Sequence, residues 1–193
     1  MQLDNLNVFD LDGTLIKVNS FKEISKKLAF TLLRKMQIAA FLKLLIWYII
    51  RKLHIITHLY FKRRIVDIFE KYLTEEEKQS LVRLIFDKNI NKNVFDLMQQ
   101  ANNCIISTSA PYAYTSRMGF SNDVTVISSL MPFGNLPDVA NFGEGKVRNI
   151  VAYFNGKDIR VVNFYTDCSD DQPMIDLSVN AYIVKNGIPV KIK

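Results

Sequence analysis

Asn5-Leu6-Asn7-Val8-Phe9-Asp10-Leu11-Asp12-Gly13-Thr14-Leu15 is the stretch from which the rest of the chain is read. Residues 5–9 form a short apolar run with the character of a strand, and the run stops at Asp10. In an extended chain, side chains two apart point the same way, so Asp10 and Asp12 project together while Leu11 turns to the core. Two carboxylates held side by side repel each other unless a cation or a shared proton relieves them. Gly13 permits a sharp departure of the backbone. Alone, the stretch fits a strand-end turn with solvated acids equally well, so the residues that join it decide.

Similar short runs occur at 104–106, 124–127, 159–165 and 181–184, separated by helix-like stretches at 92–101, 111–119, 145–154 and 170–177. Strand alternating with helix predicts an α/β fold with a parallel sheet of about five strands, covered on both faces. The carboxyl ends of such strands share one edge, where ligands bind. The second run ends in Ser107-Thr108-Ser109 and the fourth in Thr166-Asp167-Cys168-Ser169-Asp170-Asp171. Asp10, Asp12, Ser107, Asp167 and Asp171 therefore converge there, and four carboxylates in one crevice call for a hard cation with oxygen ligands, best Mg²⁺. Lys146, at the start of a helix-like stretch, brings a fixed positive charge to the same edge.

The interval from 16 to 90 breaks the alternation. It is far longer than a crossover requires, contains no Pro or Gly, and places Phe21, Ile24, Leu28, Leu32 and Met36 at helical spacing. Thr74 followed by Glu77 fits a capping box for a new helix. The expected organisation is a core of 1–15 and 91–193 with a helical insert of three or four helices at 16–90.

The 193 residues are 49% hydrophobic and 23% charged, with 7 Gly and 5 Pro, which excludes disordered, collagen-like and low-complexity classes. Cys104 and Cys168 are too few for a disulfide framework and lack zinc-ligand spacing; with no secretory signal read at the start, a cytoplasmic protein is expected. The net charge of +6 is unevenly placed: Lys17 to Val66 carries 12 Lys/Arg against one acid, Glu23, an excess of +11, and the rest sums to −5. A uniformly basic nucleic-acid binder does not look like this, and no nucleic-acid partner is expected.

The most hydrophobic segment, 38–50, spans 13 residues against about 20 needed to cross a bilayer. It is bounded by Arg34-Lys35 and Arg51-Lys52 and interrupted by Lys43. Three readings are compatible: the core helix of the insert, an interfacial helix on an anionic membrane that would make the protein peripheral, and a field that draws anionic substrates to the cleft. His54 and His58, four apart, read as a helix face rather than a metal site.

Taken in order, Asp10-Leu11-Asp12-Gly13-Thr14, Ser107 at a strand end, Lys146 at a helix start, and Asp167 with Asp171 resemble the four motifs of the haloacid dehalogenase superfamily of aspartyl phosphatases. Ser107-Thr108-Ser109-Ala110-Pro111, Arg117-Met118-Gly119-Phe120, Gly143-Glu144-Gly145-Lys146-Val147 and Tyr165-Thr166-Asp167 look like its phosphoserine-phosphatase-like branch. That branch includes phosphatidylglycerophosphate phosphatases and carries a helical cap after the first motif. The chain departs from the branch in the short stretch between Phe120 and Phe142, which bears on substrate contacts, and in Cys168 and Asp170.

The resemblance implies a Rossmann-like core and a Mg²⁺-dependent phosphomonoester hydrolase. Asp10 would be the nucleophile and Asp12 the general acid and base, with Mg²⁺ held by Asp10, Asp167 and the backbone carbonyl of Asp12. Ser107 would bind a phosphoryl oxygen, unless Ser107 caps a turn and Thr108 or Ser109 makes the contact. Lys146 would offset charge on Asp10 and the phosphate, and Asp171 would orient Lys146 or a metal-bound water. The implied substrate is a phosphorylated small molecule or lipid. A phosphotransferase of the same family, or an idle membrane-surface or partner-binding module, are the competing readings.

Overall fold

The computed structural model describes residues 4–131, 139–155 and 159–193. Strands β1 (Asp4–Phe9), β2 (Cys104–Pro111), β3 (Thr125–Ser129), β4 (Ile159–Thr166), β5 (Asn180–Lys185) and β6 (Ile188–Lys191) form one sheet in the order β3-β2-β1-β4-β5-β6. The first five pair in parallel, as their apolar runs predict. β6 runs antiparallel to β5 and adds a sixth strand to the five expected. Its turn is Asn186-Gly187, both residues at positive φ (51° and 80°), the geometry of a tight two-residue hairpin. Pro189 is tolerated there because β6 lies at the sheet edge.

Alternation along the strands separates two cores. Leu6 and Val8 pack with Ile105, Ile127 and Phe164 under α7 (Glu144–Tyr153) and α8 (Gln172–Leu177), which contribute Ile150, Met174 and Ile175. Phe9, Ile106 and Tyr165 face the other side, with Val94 and Met98 of α5 (Lys92–Gln100). Each such side chain stabilises the fold by about 1.5–3 kcal/mol when fully buried. The helix expected at 111–119 is reduced to α6 (Tyr112–Thr115), because Pro111 still belongs to β2 and Gly119 turns at φ +74°.

Four helices, α1 (Ser20–Arg34), α2 (Ile38–Lys52), α3 (His58–Tyr72) and α4 (Glu75–Asn89), lie between β1 and α5. The chain enters and leaves them side by side: Lys17 N donates to Asn89 O and Asn91 N to Leu15 O, each at 2.9 Å, around an Ile16–Ile90 bridge. Thr74 and Glu77 form the reciprocal capping box of α4 that the sequence predicts, and Asn19 Oδ1 accepts from Lys22 N to cap α1.

The centre of this bundle comes from α1, α3 and α4, through residues such as Leu28, Ile65 and Val82. The segment 38–50 is not its core helix. Of α2 only Ala40 and Leu44 are buried. Among the described residues no helix is long and apolar enough to cross a membrane. Nor do the two histidines share a helix face, since His54 turns the chain at φ 58° and His58 is the first residue of α3. Residues 132–138, within the short stretch between Phe120 and Phe142, lie outside the described residues.

Candidate active site

β1 and β4 are neighbours although the chain runs from β1 to the far side of the sheet before returning, so their carboxyl ends meet at the topological switch point. Phe9 pairs with Tyr165, and Asp10 N donates to Tyr165 O at 2.9 Å, which sets Asp10 beside Thr166 and Asp167. A cleft of about 330 Å³ opens there, lined by Asp10, Asp12, Gly13, Ser109, Lys146, Asp167 and Asp171 among others. A larger cavity, about 680 Å³, lies at the opposite end of β2 near Cys104, with Asp123 the one carboxylate in its lining. The chemistry is therefore located by side chains rather than by size.

Lys146, on the first turn of α7 and 2% exposed, joins two carboxylates. Its Nζ donates to Asp10 Oδ1 and Asp171 Oδ2, both at 2.7 Å. Thr166 Oγ1 donates to the same Asp171 oxygen. Asp171 is buried and Asp170 is exposed, which settles which of the two acids reaches the lysine. Burial pulls Lys146 down, yet Asp10 and Asp171 together raise it, so it stays charged. Asp10 is pushed up to about 7 by burial; Lys146 opposes the rise, and Asp171 and Asp12 add to it.

Asp12 stands at the entrance to the insert. Its Oδ1 accepts from Ser20 N at 3.0 Å, at the start of α1. Burial raises Asp12 to about 6 against the Ser20 hydrogen bonds and Lys62, with Asp167 adding to the rise. Asp167, exposed at the rim, is likewise raised, by partial burial first. Its carboxylate rests on Gly13, where an added Cβ would sit 2.0 Å from Oδ2. Gly13, at φ +74°, is thus required both by its backbone and by its neighbour.

The serine cluster divides differently from the expectation. Ser107 and Thr108 are buried behind the wall, Ser107 Oγ accepting from Asn141 Nδ2 at 3.0 Å and Thr108 Oγ1 from Ala110 N at 3.1 Å. Ser109 lines the cleft. Cys168 also lines it, with its backbone N donating to Thr166 Oγ1 in the turn before Asp171.

Sequence reasoning missed Lys62. It is buried on α3, and its Nζ donates to Ser109 O at 2.6 Å, tying the insert to β2. Burial lowers it to about 8, while Asp12 and Asp10 oppose the drop. Among twelve basic residues in its segment, nothing in the sequence marks the one that turns inward. Tyr114, whose hydroxyl accepts from Ser20 Oγ at 3.3 Å, and Asn141, which donates to Ser107, were missed because their partners lie far away in sequence.

Among the described residues no group of three His, Cys, Asp or Glu side chains is arranged to hold a metal by itself. The set implied for Mg²⁺ needs fewer, two carboxylates from Asp10 and Asp167 and one backbone carbonyl. The charges fit it. Asp10, Asp12, Asp167 and Asp171 face Lys62 and Lys146, a formal excess of two negative charges, and the crowding of acids adds to the raised values of Asp10, Asp12 and Asp167. Hard oxygen donors with uncompensated charge suit a divalent cation of this kind.

Comparison with known proteins identifies a similar structure and a family. A crystal structure described as a protein with unknown function from Bordetella pertussis Tohama I is similar with a TM-score of 0.71 and 16% identity, over 94% of this chain and 90% of that one. At that identity the likeness speaks for the fold alone. No curated protein matches at the same stringency. The family model for haloacid dehalogenase-like hydrolases matches residues 8–176, from β1 to α8 and so across every acid of the cleft. The chain belongs to the haloacid dehalogenase-like hydrolase family.

Proposed function

We propose that this protein is a Mg²⁺-dependent phosphomonoester hydrolase of the phosphoserine-phosphatase-like branch, with α1–α4 as its cap. The observation that carries the reading is Lys146 between Asp10 and Asp171. It holds one Asp10 oxygen and leaves the other, Oδ2, to attack phosphorus. A binding module has no need for a buried lysine bracketed by two carboxylates, which favours an enzyme over an idle relative.

Asp10 takes the phosphoryl group as an aspartyl-phosphate while the ester oxygen departs. Asp12 protonates that oxygen and then takes a proton from the water that attacks the phosphorus; a carboxyl raised to about 6 suits both transfers near neutral pH. Ser20 N–H fixes Asp12 at Oδ1. Lys146 offsets negative charge on Asp10 and the phosphoryl oxygens, and Asp171 with Thr166 holds Lys146 in place. Ser109, rather than Ser107 or Thr108, offers a hydroxyl to a phosphoryl oxygen, and Lys62 adds positive charge from the cap side. When bound, Mg²⁺ held by Asp10, Asp167 and the Asp12 carbonyl lowers the repulsion between an anionic nucleophile and an anionic phosphate.

The substrate class is a phosphorylated small molecule or lipid. The test is turnover of a chromogenic aryl phosphate with and without Mg²⁺, beside Asp10→Asn. Metal-dependent turnover lost in the variant supports the reading, and equal rates in the two proteins overturn it. A phosphotransferase would instead release less inorganic phosphate than aryl alcohol when an acceptor alcohol is added.

A further inference from the structure

We propose that the outward face of α2 is a docking surface for anionic lipid bilayers. On a solvated helix the outward face is polar; here it is apolar. Ile38, Leu42, Leu45, Ile46 and Ile49 recur at i, i+4, i+7, i+8 and i+11, one continuous stripe, and each is 40–58% exposed. The helix leans on the bundle through Ala40 and Leu44 on its opposite side. Leu53 and Ile55, 63% and 69% exposed, carry the apolar surface past its end. Single exposed apolar side chains are ordinary, but a contiguous stripe of this kind marks an interaction site.

Charge identifies the occupant. At 3.6 residues per turn, Lys43 and Lys52 fall on opposite borders of the stripe, both exposed, and Arg34 stands exposed just before it. α2 itself contains no acid. A second copy of this chain would bring basic borders against basic borders, whereas an anionic headgroup layer meets them with opposite charge. Fifteen residues at 1.5 Å each give about 22 Å, too short to span, so the helix lies in the interface plane with its stripe toward the acyl chains.

The stripe is also coupled to the cleft. Tyr48 of α2 packs edge-on against Phe61 at 5.2 Å, and the next residue, Lys62, donates to Ser109 O. Docking on α2 therefore holds the cleft at a fixed distance from the lipid surface. This inference does not depend on the proposed hydrolysis, since binding is measured without turnover.

The experiment is co-sedimentation of the full chain with phosphatidylcholine vesicles, with and without phosphatidylglycerol, at low and high salt. Three proteins are compared: wild type, Leu42→Gln/Ile49→Gln, and Lys43→Gln/Lys52→Gln. All four positions are exposed, and unchanged far-UV circular dichroism and melting temperature establish that the variants are folded. Wild type binds the anionic vesicles and is released by salt. Each lysine removed lowers partitioning about fivefold, and the Leu42/Ile49 variant loses about tenfold or more. Absence of wild type from anionic vesicles, or equal binding by the folded Leu42/Ile49 variant, overturns the proposal. So does a dimer that the same variant dissolves while wild type ignores vesicles, which would assign the stripe to a second copy.

Discussion

Gly13→Ala is the substitution whose consequences are most tightly fixed by the structure. The new Cβ would stand 2.0 Å from Asp167 Oδ2 and 2.3 Å from its carboxyl carbon, where even a tight contact needs 3.0 Å. The carboxylate must therefore withdraw by about 1 Å. That exceeds the tolerance of about 0.5 Å within which a binding constellation stays productive. Independently, φ +74° costs a residue with a side chain about 1–2 kcal/mol. At roughly 2–4 °C per kcal/mol for a chain of this size, the melting temperature should fall by about 2–8 °C, leaving a folded protein. Displacing Asp167 should raise the Mg²⁺ concentration for half-maximal turnover by about 10- to 100-fold. The assay is a Mg²⁺ titration of aryl phosphate turnover, run beside thermal unfolding. A folded variant with the wild-type Mg²⁺ requirement would refute the assignment of Asp167 as a ligand, whatever its effect on stability.

Four further variants test the same geometry. Lys146→Met leaves Asp10 and Asp171 buried without their cation, so it should abolish turnover and cost about 3–5 kcal/mol in urea unfolding; stability unchanged from wild type would contradict the pairing. Lys62→Met should alter the alkaline stability profile. Lys62 is lowered to about 8 in the fold against 10.5 unfolded, so native protein carries a penalty below pH 8 that lifts as pH rises to 10.5. Wild type should thus gain about 3 kcal/mol on the variant across that window, and parallel curves would sink the idea. Ser109→Ala should raise KM for aryl phosphate by about tenfold, the value of one hydrogen bond to a charged group. Ser107→Ala should leave KM alone, because Asn141 Nδ2 still reaches Thr108 O and Ile127 O; the reverse ranking would restore Ser107 as the contact.

Much of this was readable before any coordinates. The run into Asp10, the acids after β4 and the lysine opening α7 each sit where a strand or helix boundary is written in local chemistry, and parallel topology does the rest. The insert announced itself by length and by the Thr74–Glu77 cap. What could not be read depends on distant partners. Ser107 and Ser109 are two apart and should share a face, yet one is buried and one lines the cleft. β2 breaks its register with β3 between Thr108 and Pro111, and no local signal records that break. β6 is a weak strand by sequence, four residues with a Pro, although Asn186-Gly187 is a usable hairpin signal. The apolar segment 38–50 was readable as hydrophobic but not as outward-facing, since facing is set by which helices pack behind it.

The paired crossings at Leu15–Lys17 and Asn89–Asn91 bring the two ends of the four-helix insert together, and Lys62 to Ser109, Arg83 to Met118 and Arg117 to Glu70 and Glu75 tie its body to the core as well. An insert whose ends already lie together can change in length without altering strand order, but one that loses Ser20 or Lys62 changes the surroundings of Asp12.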